Sequence, residues 1–367
     1  MVSVVGALEA LSAYSWPLAW LSIAAFLAGA ILEVSERREL AVRVAAGGWI
    51  AFGVFWLSKF HYFYVEFGSP LEGILSLAAL PLTWYAAYLL LTGRDSLLIV
   101  SRAVAGMGLI YLPVATIEPV KVFLIESVAQ QSAWGMELFG YDVTLTEGAN
   151  GYQGRFTFAS RPEDSYTTYI VLACTGIGSI SIFGGLTAAV RAPLRRKLAG
   201  FVAATGIIYV LNLFRNVFVG LAAPFGWFDG SISETIATTM AGDVHTSFFI
   251  AHHLISQSLS VVALIAITLV VVRIVPEVVG PLEEVLFVIT NTEYDLAAAI
   301  GQPQATDAGS SVDSAGAGGT GLESDGSAGS TGDAAAGASG LRGEPADDVQ
   351  PDGGTTDDAG GPSNDDA

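Results

Sequence analysis

The stretch Thr168–Val190, TYIVLACTGIGSISIFGGLTAAV, is apolar over enough residues to cross a bilayer, and it contains the only cysteine of the chain, Cys174. About 20 apolar residues span a hydrocarbon core about 30 Å thick. A basic cluster follows the stretch, formed by Arg191, Arg195, Arg196 and Lys197. The sequence therefore predicts a membrane span that carries a single thiol about two turns from its N-terminal end.

The rest of the chain has the composition of a membrane protein. Of its 367 residues, 52% are hydrophobic and 14% are charged, whereas a soluble domain has roughly 25% charged residues. Seven apolar runs are candidate spans: Pro17–Leu32, Leu40–Leu57, Leu71–Leu91, Leu97–Ile117, Thr168–Val190, Leu198–Leu221 and Ser247–Val272. Helices satisfy their own backbone groups in lipid, so we predict an all-α polytopic membrane protein with about seven transmembrane helices.

The spans divide the chain into segments of different character. The six segments are residues 1–16 (interfacial), 17–117 (four transmembrane helices), 118–167 (extracytoplasmic cap), 168–275 (three transmembrane helices with the candidate site), 276–300 (juxtamembrane) and 301–367 (acidic tail). The cap begins with an amphipathic helical pattern and continues with alternating runs at Val143–Leu145 and Phe156–Phe158. Alternation is typical of strands, so we predict a small helix and strand cap.

The acidic tail differs from everything before it. It holds 13 acidic residues and one base, Arg342, so −12 of the formal net charge of −19 lies there. It has almost no large apolar residues to bury, which predicts disorder. The whole chain has three lysines against 13 arginines. An acidic, lysine-poor chain is typical of proteins from salt-loving organisms, because high salt screens charge repulsion.

The positions of arginine and lysine predict the orientation in the cell membrane, because short cytoplasmic loops are rich in both. Basic residues follow spans one, three, five and seven, at Arg37/Arg38, Arg94/Arg102, Arg191–Lys197 and Arg273. The alternate loops are poorer in bases. We therefore expect the N-terminus and the cap outside, and the acidic tail in the cytoplasm.

Polar side chains of three spans lie at a similar predicted depth near the outer surface. They are Cys174 in span five, Arg215 in span six, and the adjacent His252 and His253 in span seven. At about 1.5 Å per residue, each lies roughly 8–9 Å deep. An ionised arginine at that depth needs a partner or a water-filled cavity. A thiol, a cation and an imidazole at one level are the main functional signal.

These side chains suit acyl transfer. A neighbouring cation favours the nucleophilic thiolate, and a histidine can take or return its proton. Arginine can stabilise the oxyanion of a tetrahedral intermediate. Asn212 lies about one turn before Arg215 and could orient that side chain or a substrate. Thr175 and Gly176 follow the cysteine, and small residues there would let a substrate backbone approach closely.

Each of these residues also has an ordinary structural interpretation. A lone cysteine in an apolar helix is most often a small packing residue. An arginine near a membrane surface can extend to the headgroups, and glycines and histidines can serve helix packing. That all of these residues serve packing alone, at one depth, is a less economical explanation than a shared site.

The same residues resemble the exosortase/archaeosortase family of membrane-embedded cysteine transpeptidases. The match lies in ACTGIGS (Ala173–Ser179), in N-x-x-R (Asn212–Arg215) and in the histidine-bearing start of the last span. The resemblance implies that Cys174 is the nucleophile and that Arg215 stabilises the transition state. For the acid/base position it leaves two adjacent histidines, of which we prefer His253, with His252 as the alternative.

The resemblance also implies a substrate class. Members of the family act on secreted proteins that end in a sorting signal made of a short motif, a transmembrane helix and a basic tail. In the archaeal version the motif is Pro-Gly-Phe. Cleavage there through a thioester would be followed by transfer of the new C-terminus to a membrane phospholipid. The product would be a lipid-anchored surface protein, such as an S-layer glycoprotein. No cofactor, metal or nucleic acid is expected, and the sequence does not specify the oligomeric state.

Two other functions stay open at this point. A transporter or ion pathway would use Arg215 and the histidines as intramembrane polar groups, although the polar residues cluster at one level. A metal-dependent intramembrane hydrolase would use His245, His252 and His253. That spacing is not a standard zinc pattern.

Overall fold

The structure is a computed structural model that describes residues 4–66, 70–162, 165–241 and 245–301. By its internal contacts the chain divides into two units, Met1–Ala305 and Thr306–Ala367. The predicted acidic tail lies outside the described residues, apart from Gly301, so its disorder stays a prediction.

The described residues are mostly helical. In chain order the α-helices are α1 (Val4–Ser12), α2 (Ser15–Val34), α3 (Arg38–His61), α4 (Pro70–Leu91), α5 (Leu98–Thr116), α6 (Glu118–Leu138), α7 (Ile177–Ala189), α8 (Leu194–Ala222), α9 (Ser231–Ala241), α10 (Thr246–Phe248), α11 (Gln257–Ile274), α12 (Val279–Thr290) and α13 (Leu296–Ala299). A π-helical segment, Phe249–Ser256, joins α10 to α11, so Thr246–Ile274 is one continuous helix.

Six helices in the described part of the chain are long and apolar enough to cross a membrane. They are Ser15–Val34, Arg38–Tyr64, Glu72–Leu91, Asp95–Thr116, Leu194–Ala222 and Thr246–Ile274. Only 17–39% of the most apolar stretch of each helix is buried inside the protein. A helix that is apolar on its exposed faces as well as its buried ones is typical of a membrane span, so the predicted polytopic all-α class is confirmed.

The prediction that Thr168–Val190 is one continuous span is wrong. Residues Leu172–Thr175 form a 3₁₀ turn, and α7 begins only at Ile177. Its 13 residues cover about 20 Å at 1.5 Å per residue, less than the hydrocarbon core. Before the turn the chain is extended, and the Ile170 backbone N–H donates to the Gly154 carbonyl. The segment TTYIV is rich in β-branched and aromatic residues, which favour strands. Cys174 therefore precedes the helix instead of lying inside it.

The predicted helix and strand cap is confirmed. After α6, strand β1 (Val143–Glu147) pairs antiparallel with β2 (Gln153–Phe158), and Val143 lies opposite Phe158. Side chains of the cap and of α8 share one buried cluster that includes Ile125, Met136, Phe156, Ile170, Val217 and Leu221, and Cys174 packs against it. The cap thus fixes the segment that carries the thiol against α8.

Ion pairs join the helices at the end of the bundle away from the cap, which we call the basic end. The pairs are Arg38–Asp95, Arg94–Glu284, Arg94–Glu293, Arg102–Glu33 and Arg196–Glu277, with N–O distances of 2.6–2.7 Å. Among these pairs, Arg94–Glu284 joins α12 to the chain between α4 and α5. Which side of the membrane this end faces stays a prediction.

Candidate functional site

The turn that carries Cys174 is held against α8 by two amide side chains. The Cys174 carbonyl accepts hydrogen bonds from Asn212 Nδ2 at 2.6 Å and from Asn216 Nδ2 at 2.9 Å. Residues four apart lie on one face of a helix, so both amides reach the same oxygen. The Asn216 residue is only 5% exposed. Because both amides bind the backbone of the cysteine, they fix where its side chain begins.

Gly176 lets the turn end and the chain approach α8 closely. Its φ of +77° is in the left-handed region, which costs roughly 1–2 kcal/mol for a residue with a Cβ. A Cβ at this position would also lie 3.3 Å from Ile208 Cγ2 and 3.4 Å from Asn212 Cγ. A side chain there would push against one of the two amides that hold Cys174. Glycine is thus required by the packing of the turn, whatever role it has toward a substrate.

Thr175 is used inside the turn. Its hydroxyl donates to the Leu172 carbonyl at 2.7 Å and accepts from the Ile177 N–H at 3.4 Å. The residue is 2% exposed. These contacts make Thr175 a brace between the 3₁₀ turn and α7, and a role in substrate binding stays a prediction.

Arg215, the residue before Asn216 on α8, forms a polar pair with His252 of the π-helical segment. The Arg215 Nη2 atom lies 3.1 Å from His252 Nε2. A guanidinium only donates, so Nε2 accepts and the imidazole is neutral, with its proton on Nδ1. Arg215 Nε and His252 Nδ1 are both buried, and neither has a hydrogen-bond partner within the described residues. Buried donors normally have partners, so these two unpaired N–H groups are candidates to donate to an acceptor atom of a ligand.

Aromatic rings set the orientation of His252. Phe248 stacks on it with ring centroids 4.9 Å apart and an angle of 17°. His253 instead stacks on Phe249 at 5.4 Å. Both histidines lie in the π-helical segment, a type of irregularity common at functional sites. Our preference for His253 rested on sequence alone, whereas the contact with Arg215 is made by His252.

His245 lies in a different environment. It precedes α10, where its Nδ1 accepts from the Phe248 N–H at 3.4 Å, and its ring stacks on Tyr166 at 4.1 Å. Burial lowers the pKa of His245 below its usual value, and Asp229 opposes that shift. Among the residues that the structure describes, no three His, Cys, Asp or Glu side chains are grouped as metal ligands. The histidines thus offer no ready-made metal site there.

A cavity of about 500 Å³ connects the two parts of the site. Its wall includes Ala173 and Gly176 from the cysteine turn and Asn212 and Arg215 from α8. The cation and the turn on either side of Cys174 therefore face one space. Cys174 itself and His252 are not among the residues that line this space. The arrangement therefore places room for a ligand beside Arg215 and beside the backbone on either side of the thiol.

Asn216 is the site residue that the sequence analysis missed. The signal lies in NLFRN, where Asn212 precedes Arg215 by three residues and Asn216 follows it directly. An asparagine deep in an apolar helix needs a hydrogen-bond partner. That requirement could have paired it with an irregular backbone segment nearby.

Removing both amides should loosen the turn around the thiol. We expect Asn212→Ala/Asn216→Ala to speed alkylation of Cys174 by iodoacetamide several-fold, because a carbonyl left without its donors costs about 1–3 kcal/mol and the turn opens more often. The alkylation rate in detergent, followed by intact mass, measures this. Ser181→Ala is the matched control, since the Ser181 hydroxyl is buried but bonds only to its own helix, at the Ile177 carbonyl. An unchanged rate in the double variant would show that Asn212 and Asn216 do not hold the turn.

Comparisons with known proteins show the family of the chain. The chain matches the transmembrane exosortase family over residues 12–254. It is 41% identical over 293 residues to archaeosortase A of Haloferax volcanii, and the match covers 76% of this chain and 95% of that protein. It is 39% identical over 288 residues to archaeosortase A of Natronomonas pharaonis, and that match covers 75% of this chain and 89% of that protein. No solved structure gives a significant match. The chain therefore belongs to the exosortase/archaeosortase family.

Proposed function

We propose that this membrane archaeosortase is a cysteine transpeptidase that cleaves a C-terminal Pro-Gly-Phe-type sorting signal from secreted surface proteins. It then transfers the new C-terminus to a membrane phospholipid. The observation that supports the proposal is the placement of Arg215, which lines one cavity with the turn residues Ala173 and Gly176 and pairs with His252. Arg215 Nε and His252 Nδ1 are both left without a hydrogen-bond partner among the described residues. Donors aimed at a developing oxyanion are the usual means of stabilising acyl transfer.

In the first step the Cys174 sulfur attacks the scissile carbonyl, and a carbon–sulfur bond forms. Arg215 and His252 donate to the resulting oxyanion. In the resting site His252 Nε2 is engaged by Arg215, so it cannot act as a base. Once the guanidinium turns to the substrate oxygen, the Nε2 lone pair is free to take the thiol proton. Collapse then breaks the carbon–nitrogen bond, and that proton leaves on the amine.

The second step releases the thioester. A hydroxyl or amine of a lipid headgroup attacks the thioester carbonyl, and the carbon–sulfur bond breaks. The proton of the attacking group returns to the sulfur, so no cofactor is consumed. In this scheme His252 is the histidine of the site, because it contacts Arg215. His253 stays the alternative for proton transfer, since its ring is exposed and its centroid lies 4.7 Å from that of His252.

The proposed orientation follows from the basic end. If its arginines face the cytoplasm, then the cap, the Cys174 turn and the N-terminus lie on the outer side. A sorting signal that has crossed the membrane would emerge at this level, beside lipid headgroups. The acidic tail would then be cytoplasmic.

The proposal is tested by blocking the single thiol of the chain. Purified protein in phospholipid vesicles is incubated with a surface-protein fragment that ends in a Pro-Gly-Phe signal, before and after complete alkylation with iodoacetamide. We expect the untreated protein to give a shortened product whose mass includes a lipid, and the alkylated protein to give none. Full processing by protein that intact mass shows to be alkylated would overturn the proposal and favour a pathway without a thiol, such as metal-dependent hydrolysis.

A further inference from the structure

The cavity beside Arg215 continues away from the site between α8 and α11. Beyond the cysteine turn its wall is formed mainly by apolar residues: Ile208, Leu211, Leu259, Ala263, Leu264 and Ile267. We propose that this groove holds one hydrocarbon chain of the lipid that accepts the acyl group. The role of that lipid as acceptor rests on the proposed function, whereas the occupancy of the groove does not.

The dimensions of the groove decide what fits it. Its wall follows the helix Thr246–Ile274 from Ser256 to Ile267, which is about 16 Å at 1.5 Å per residue. Its volume of about 500 Å³ lies along that length. A single extended hydrocarbon chain fits a groove of this length and volume, because the wall beyond the cysteine turn is mainly apolar.

The groove is open to the side. Leu211 and Phe214 of α8 and Leu259 of α11 line it and are also exposed, Leu259 to 63%. Because α8 and Thr246–Ile274 are membrane-spanning helices, the exposed rim faces hydrocarbon. A chain of a bilayer lipid can therefore enter laterally. Each CH₂ group buried in such a groove exchanges one apolar environment for another, so shape rather than hydrophobicity selects the occupant.

Charge complementarity sets the direction of the bound lipid. Arg215 and Asn212 stand at the end of the groove next to the cysteine turn, and the wall away from them is apolar. A guanidinium binds phosphate oxygens well. A lipid with its chain in the groove would therefore place its headgroup beside Arg215, close to the thioester on Cys174. Gly178 widens this end, since a Cβ there would meet no atom within 4 Å.

Photolabelling tests the occupancy without any chemistry at the thiol. Cys174→Ala protein is placed in nanodiscs with a phospholipid that carries a diazirine near the end of one chain. We expect labelled peptides to centre on Ile208 and on Ala263–Ile267. We also expect Ala263→Phe, which fills the groove, to reduce that labelling at least fivefold. Val262→Phe is the matched control, because Val262 is the adjacent residue, is 64% exposed and does not line the groove. Ser260→Leu narrows the groove one turn nearer Arg215 and replaces Ala263→Phe if that variant does not fold.

The result that overturns the proposal is equal labelling in Ala263→Phe and Val262→Phe, or label spread evenly over the outer faces of the spans. With Cys174 intact, Ala263→Phe should still release the sorting signal while the lipid-linked product falls about tenfold. Val262→Phe should leave both products unchanged. If wild type cleaves but attaches no lipid, the acceptor role fails, and the labelling still decides whether the groove binds a chain.

Discussion

Replacing Cys174 by alanine is expected to reduce cleavage of a Pro-Gly-Phe sorting signal by roughly a thousandfold or more. Loss of a nucleophile leaves only the rate that the remaining donors and substrate binding supply. The Asn212 and Asn216 bonds go to the backbone carbonyl of residue 174, so the turn should keep its shape without the sulfur. The measurement is the single-turnover cleavage rate in vesicles, together with the melting temperature.

Cys174→Ser separates chemistry from packing. Serine retains the approximate shape of the side chain but is a far weaker nucleophile without a dedicated base, so it should be nearly as inactive as alanine. If the thiol were only a packing group against the cap cluster, serine and alanine would both retain activity. Normal processing by folded Cys174→Ala protein would remove the thioester mechanism and bring the transport function back into consideration.

Arg215→Lys is expected to lower the single-turnover rate by about 10²–10³, the usual loss when one oxyanion donor is removed. Lysine keeps the charge but lacks the planar fork, so it cannot both contact His252 and present a donor like Nε to the substrate. Binding of the sorting signal should change much less than the rate. Arg102→Lys is the matched control, because Arg102 is also half-buried within a span but pairs with Glu33 at the basic end.

The two histidines complete this prediction. His252→Ala should approach the loss seen in Arg215→Lys, and the two changes combined should cost little more than either alone, because they act as one unit. His253→Ala should lose much less. If His253→Ala were instead the inactive variant, the contact between Arg215 and His252 would be structural, and the acid/base role would belong to His253.

Much of the fold could be predicted because lipid imposes simple rules on sequence. Length and apolar composition locate helices such as Leu194–Ala222 and Thr246–Ile274 closely, since each needs no partner to satisfy its backbone. The cap was predictable for a similar reason: alternation at Val143–Leu145 and Phe156–Phe158 is a local pattern. Turn residues between them then favour a hairpin.

The rest depended on contacts between distant segments. Apolar composition alone cannot distinguish a membrane helix from the extended chain at Tyr169–Val171, whose hydrogen bonds are supplied by β2. Neither could spacing choose between His252 and His253, because the π-helical segment changes the angle between successive side chains. The Asn216 contact and the groove arise only when α7, α8 and α11 are packed together.

The hydrogen bond between Arg215 and His252 joins residues 37 positions apart, and this spacing has a consequence for how the protein is made. The chain leaves the ribosome in order, so Cys174 emerges first, Asn212 to Asn216 next and His252 last. Until Thr246–Ile274 is inserted, Arg215 has no histidine to contact and the groove has no wall from α11. A protein still being synthesised therefore cannot hold the complete site. If the site acts as proposed, cleavage of secreted chains can begin only when Thr246–Ile274 is in place.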